Sequence, residues 1–201
     1  MMNNEILIKD GKLIFPKAGV VKKKDLVIRE GKIKKIYQPG ESIEAKFSNI
    51  VDASGLYVSP GFIDLQVNGG GGVDFSTASP RELKKFSDLW YSKGTTSFLA
   101  TIITNPVESM NKSMKRLSRA GAENMLGFHV EGPFISDSKR GAHDRASVKA
   151  YSREALDRLI SGVMDDTRLF TFAPEIDGAD ELIDNLTMNN ITPSIGHSAA
   201  S

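Results

Sequence analysis

The chain has 201 residues, 40% of them hydrophobic and 25% charged, and its 26 Lys and Arg against 25 Asp and Glu leave a net charge of +1. Such a balance gives no global field toward nucleic acid or an anionic membrane, so neither is expected as a partner. Cysteine is absent, which excludes disulfides and thiolate ligands and leaves any metal to His, Asp or Glu.

No stretch approaches the roughly 18 apolar residues that span a bilayer, and the first ten residues carry no signal-peptide core. A cytoplasmic enzyme is the default expectation. Residues 5–9 and 12–15 have strand character, with Asp10-Gly11 between them as a turn signal. The Lys22-Lys23-Lys24 run is expected to be a solvated turn. Residues 25–29 and 32–37 alternate in polarity around Glu30-Gly31. Two successive hairpins predict a small β domain.

After Pro60 the pattern changes. Residues 61–67 form an apolar strand. Ser79-Pro80-Arg81-Glu82 is a helix start, with a Ser cap, Pro at the first position and Glu three residues after the cap. Leu83, Phe86, Leu89 and Trp90 mark one face of that helix, and Gly94 ends it. Residues 95–101 read as a strand, and Asn105-Pro106-Val107-Glu108 repeats the start signal. Val107, Met110, Met114 and Leu117 share the next helical face. Residues 125–131, 169–173 and 191–196 supply three more strands. Helices between them carry Leu156, Leu159 and Ile160, with Ser152 as cap, and then Leu182, Ile183 and Leu186. Alternating strands and helices indicate parallel βα units, in a doubly wound sheet or a (β/α)8 barrel.

The chain has only three histidines: His129, His143 and His197. Two of them lie at or just past the carboxyl ends of predicted strands, where barrel enzymes build their sites. His129 and Glu131 stand two apart and therefore share a strand face. Gly132-Pro133 stops that strand, and Gly196-His197-Ser198 ends the fifth in the same manner. A carboxylate and an imidazole from separate strands suit Zn2+ or Fe2+, although a catalytic zinc usually takes three protein ligands. The Gly69-Gly70-Gly71-Gly72 run lacks the Gly-Lys-Ser/Thr ending of a phosphate loop and a helix directly after it. A flexible turn over the barrel mouth is expected instead.

Several motifs now stand in order: Pro60-Gly61-Phe62-Ile63-Asp64, Gly69 to Gly72, Gly94-Thr95-Thr96, Gly127-Phe128-His129-Val130-Glu131-Gly132-Pro133, Gly141-Ala142-His143, Phe172-Ala173-Pro174-Glu175 and Gly196-His197-Ser198. Together they resemble the amidohydrolase superfamily and, within it, the N-acetylglucosamine-6-phosphate deacetylases. The resemblance runs along essentially the whole chain. It implies α/β architecture: a partial (β/α)8 TIM-type barrel, its first five βα units at residues 58–201, preceded by the N-terminal part of a small β-sandwich domain at residues 1–57.

The resemblance also implies a reaction. Acetate is removed from N-acetylglucosamine 6-phosphate to leave glucosamine 6-phosphate, in amino-sugar catabolism, by a water that a metal activates. Glu131 and His197 correspond to metal ligands, Ala142 and His143 to positions that contact the amino-sugar phosphate, and His129 to a lining or supporting residue. One divalent ion per subunit is implied, Zn2+ first and Fe2+ second. Many amidohydrolases carry His-x-His after the first-strand Asp64, whereas Gln66 and Asn68 stand here. A neutral amide is a poor ligand for a second transition metal, so a single-metal site is expected, with Gln66 and Asn68 lining it on the face of Asp64.

The family's third ligand, catalytic Asp, phosphate contacts and returning strands are expected beyond Ser201. The sequence is therefore expected to be C-terminally truncated, inactive and poorly stable by itself, and a homodimer when full length. Two alternatives are another amidohydrolase, dihydroorotase-like or dipeptidase-like, and a non-catalytic sugar-phosphate-binding fragment.

Overall fold

In the computed structural model, which describes residues 5–43, 47 and 49–201, the chain falls into two units, Met1–Pro60 and Gly61–Ser201. The first is a single mixed sheet. Strands β1 (Glu5–Phe15), β2 (Val20–Arg29) and β3 (Lys32–Tyr37) form an antiparallel meander, and β4 (Asn49–Asp52) and β5 (Tyr57–Val58) run parallel to β1. Leu7, Leu13, Leu26, Val27 and Ala53 are its buried apolar side chains among the described residues.

Two local expectations are corrected here. Residues 5–9 and 12–15 are one strand, because Asp10-Gly11 makes a bulge and not a turn. The register with β2 jumps between Ile8 and Gly11, and Asp10 takes φ 58°. The Asp10 N–H, which leaves the ladder at the bulge, donates to the Asp25 carboxylate at 2.7 Å. A Cβ at position 11 would stand 2.7 Å from Val58 Cγ2, so only glycine lets β5 approach. The chain reverses later, through the short helix Pro16–Ala18 and Gly19 at φ 63°. Consequently Lys22, Lys23 and Lys24 lie on β2, and Lys23 Nζ pairs with Asp10 at 2.8 Å. The predicted reversal at Glu30-Gly31 is present, with φ of 51° and 70°.

The second unit holds a parallel sheet in the order β12-β11-β10-β9-β6. Its strands are β6 (Phe62–Val67), β9 (Thr95–Ile103), β10 (Met125–Glu131), β11 (Thr167–Phe172) and β12 (Thr192–Ile195), separated from a small hairpin of β7 (Gly69–Gly70) and β8 (Val73–Asp74). Helices α1 (Pro80–Ser92), α2 (Val107–Ala120), α3 (Arg153–Ile160) and α4 (Ala179–Met188) follow successive strands. The Gly69–Gly72 run is thus an ordered reversal. A Cβ on Gly69 would meet the Val73 carbonyl oxygen at 2.1 Å, and Gly71 and Gly72 both have positive φ.

Helix starts follow their local chemistry. Ser79 accepts from the Glu82 N–H while the Glu82 carboxylate accepts from the Ser79 N–H, and Ser152 caps α3. At α2 the expected Asn cap is displaced: Pro106 holds the cap position with no side-chain bond, and the helix starts at Val107.

Strand alternation sorts the side chains. Phe98, Ala100 and Ile102 of β9, Phe128 and Val130 of β10, and Phe170 and Phe172 of β11 join Phe86, Met114, Leu156 and Leu186 in one buried cluster. The intervening residues Thr101, His129, Glu131 and Thr171 point to the opposite face, away from the helices. A buried Phe in such a layer is worth about 3–5 kcal/mol relative to Ala. The layer therefore fixes the strands firmly and leaves their other face, at the carboxyl ends, to carry chemistry. No helix among the described residues is long and apolar enough to cross a membrane.

Candidate metal centre

Glu131, at the end of β10, stands at the centre of a small cluster. Its Oε1 lies 3.1 Å from His197 Nε2 and 3.9 Å from His143 Nε2, and its Oε2 accepts from Gln66 Nε2 at 2.9 Å. Potential ligand atoms of Glu131, His143 and His197 all fall within 4.8 Å of one another. Thus Glu131, His197, Gln66 and His143 come together, whereas Ala142 is exposed on the loop beside His143. Asn68 borders a separate cavity of about 260 Å3 with Gly69, Val73, Asp74 and Thr101.

Gln66 reaches the cluster through a bulge. Asp64 opposes Phe98 and Val67 opposes Ala100, so β6 spends one residue more than β9 over this stretch. Asp64 in consequence does not share a face with Gln66. Its Oδ2 accepts from Trp90 Nε1 of α1 at 3.2 Å, while Gln66 turns to Glu131. Period-two alternation across residues 64–68 could not foresee the extra residue.

His129 secures that bulge. Its Nδ1 lies 3.1 Å from the Leu65 carbonyl oxygen, which only accepts, so Nδ1 carries the proton. Nε2 then accepts from the Thr171 hydroxyl at 2.7 Å. Thr101 Oγ1 accepts from the Val67 N–H at 2.9 Å, on the same bulge. Burial pushes the His129 imidazole below its ordinary pKa, against opposing contributions from Glu131 and Leu65. A neutral ring spanning β6, β10 and β11 is the outcome. His129 ties these strands together and is not among the candidate ligands.

His197 shows how the cluster suits a cation. Its Nδ1 donates to the Lys139 carbonyl at 3.0 Å, so in the neutral ring the Nε2 lone pair faces the Glu131 carboxylate. Two acceptors 3.1 Å apart repel unless a proton or a cation lies between them. Ligands at zinc distances of about 2.0–2.2 Å in a tetrahedral array stand about 3.4 Å apart, close to this spacing. An imidazole whose second nitrogen is tied to a carbonyl is also the usual form of a metal-ligating histidine. Glu131 and His197 therefore fit a divalent ion.

His143 differs. Its Nδ1 is buried without a hydrogen-bond partner among the described residues, and its ring meets that of His197 edge-on with centroids 4.4 Å apart. Burial, against the opposing pull of the Glu131 carboxylate and with help from His197, sets its pKa below the ordinary value. Its approach to Glu131 was not legible in the sequence, because the loop after β10 has no periodicity to place it.

Glu175, in the Phe172-Ala173-Pro174-Glu175 motif, meets the turn after His197, a contact that no local spacing predicts. Its Oε2 accepts from Ser198 Oγ at 2.8 Å and its Oε1 from the Ala199 N–H at 2.5 Å. The Ala199 N–H is the main reason its carboxyl is held below the usual range.

A scan against protein-family models finds no match. Curated relatives are found nonetheless. The N-acetylglucosamine-6-phosphate deacetylase of Bos taurus is 35% identical over 196 residues, 92% of this chain and 47% of its own. That of Homo sapiens is 39% identical over 158 residues, 74% of this chain and 39% of its own. The crystal structure of N-acetylglucosamine-6-phosphate deacetylase from Pasteurella multocida superposes with a TM-score of 0.85 at 31% identity, over 98% of this chain and 52% of that one. This chain belongs to the N-acetylglucosamine-6-phosphate deacetylase family. It spans about half the length of the curated relatives it matches. Family membership makes its parallel sheet part of an amidohydrolase barrel, joined to a β domain. Glu131, His143 and His197 form a possible metal-holding group at the carboxyl ends of its strands.

Proposed function

We propose that the protein carrying this chain hydrolyses N-acetylglucosamine 6-phosphate to glucosamine 6-phosphate and acetate, with one divalent ion, zinc first, held by Glu131 and His197. The observation that carries this reading is His197 Nε2 standing 3.1 Å from Glu131 Oε1, with Nδ1 held at 3.0 Å from the Lys139 carbonyl. When bound, a divalent ion supplies Lewis acidity toward the amide carbonyl and lowers the pKa of the attacking water.

The chain's own residues do the rest. Gln66 holds the second oxygen of Glu131, so the carboxylate is fixed in one orientation and is not free to bridge a second ion. A single ion per chain follows. His143 lies beside the centre with one buried nitrogen unpaired. Such a group costs about 1–3 kcal/mol, and a polar group of the substrate would relieve it. We assign His143 and its neighbour Ala142 to the amino-sugar phosphate on this basis. His129 keeps Glu131 and Gln66 in register by tying the bulge of β6 to β11.

The test is acetate release from N-acetylglucosamine 6-phosphate by the purified protein, together with metal analysis. About one equivalent of metal and a loss of at least a hundredfold in kcat/KM on Glu131→Gln are expected, on the order of 3 kcal/mol of transition-state stabilisation. Undiminished turnover in the variant, or two equivalents of tightly held metal, would overturn the assignment.

A further inference from the structure

His197 stands just past β12 in the left-handed region, with φ 50°. A residue bearing a Cβ does not rest there by local preference, so its surroundings must hold it. Two anchors come from the loop after β10: the Ser136 N–H donates to the His197 carbonyl at 3.1 Å, and the Lys139 carbonyl takes Nδ1. Both act on His197 itself. A third anchor comes from the loop after β11. There Glu175 uses one oxygen for the Ser198 hydroxyl and the other for the Ala199 N–H, the two groups that directly follow His197. Ser198 Oγ then accepts from the Ala200 N–H at 2.9 Å, which closes the turn.

β11 and β12 are neighbours in parallel register, Phe172 opposite Ile195. The carboxylate thus bridges the loops that leave two adjacent strands at the same edge. It is exposed, so nothing about packing requires an acid at this position. Hydrogen bonds to an ionised acceptor are shorter and stronger than neutral ones, and here both are spent on one three-residue turn.

We infer that Glu175 is a positioning residue of the metal centre: it fixes the Ser198-Ala199 turn and thereby holds His197 in the orientation that presents Nε2 to the ion. This rests on the proposed metal site and extends it to a residue that touches neither metal nor substrate.

The experiment measures Co2+ affinity and the visible Co2+ spectrum of the purified protein and of the Glu175→Ala, Glu175→Gln, Ser198→Ala and His197→Ala variants, with unfolding temperature read alongside. Changes in the partners that orient metal ligands typically weaken binding by 10–100-fold. About tenfold weaker Co2+ binding is expected for Glu175→Ala, with an altered spectrum and a nearly unchanged unfolding temperature. Glu175→Gln should recover most of the loss, because its amide oxygen still accepts from the Ala199 N–H, and Ser198→Ala should show a smaller loss. If Glu175→Ala does not fold, the Gln and Ser198 variants still decide. Wild-type affinity in Glu175→Ala alongside lost binding in His197→Ala overturns the positioning role alone. A fall in unfolding temperature that the Gln variant does not rescue, with affinity unchanged, also overturns it and leaves only a structural brace. Retained binding in His197→Ala removes the metal site, and the role of Glu175 falls with it.

Discussion

Gly132 follows Glu131 directly, and replacing it with alanine isolates the backbone's share in placing the carboxylate. Position 132 has φ 79°, a conformation that costs a residue with a Cβ about 1–2 kcal/mol. The new Cβ would stand 2.1 Å from Thr104 Oγ1. Thr104 is buried, and its hydroxyl donates to the Glu131 carbonyl at 3.0 Å, so clearing the clash means rotating it out of that bond. Loss of one such bond adds about 1 kcal/mol. The Gly132→Ala substitution should therefore destabilise by about 2–3 kcal/mol in urea unfolding. The clash and the bond share one atom, so Thr104→Ala should already incur part of this cost. The double variant should then fall short of additivity by about 1 kcal/mol. A Gly132→Ala protein within about 0.5 kcal/mol of wild type, or strict additivity with Thr104→Ala, would refute the account of both terms.

Zinc at about 100 times its dissociation constant should raise the unfolding free energy by about 2.7 kcal/mol, and a chelator should remove the gain. Glu131→Gln should lose the increment, and a zinc shift that persists in that variant would place the ion elsewhere. The His129→Leu substitution should cost about 2–3 kcal/mol in thermal unfolding, because it leaves the Leu65 carbonyl and Thr171 hydroxyl without their partner. A loss below about 0.5 kcal/mol would show that the ring does not tie β6 to β11.

Much of this was legible in the chain itself. Apolar residues at helical spacing placed α1 to α4, because a helix buries one face whatever its tertiary setting. The Ser79 and Ser152 caps are chemistry between residues three apart, and they appear as read. His129 and Glu131 share a face because strand alternation demands it. The order of motifs carried the resemblance to the deacetylases, which the curated relatives bear out.

What the sequence could not contain is the result of alternation failing or of distant loops meeting. The bulges at Asp10-Gly11 and after Asp64 each add a residue that only the partner strand reveals. The first joins two predicted strands into one, and the second sends Asp64 to Trp90 and Gln66 to Glu131. The approach of His143 to Glu131 depends on the loop after β10 folding back on its own strand end, and the hold of Glu175 on the turn after His197 depends on loops that leave two adjacent strands at the same sheet edge. Local periodicity and capping act over a few residues and are written in the chain. The pairing of Glu131 with His197, 66 residues apart, exists only once the helix layer has stacked β10, β11 and β12 side by side.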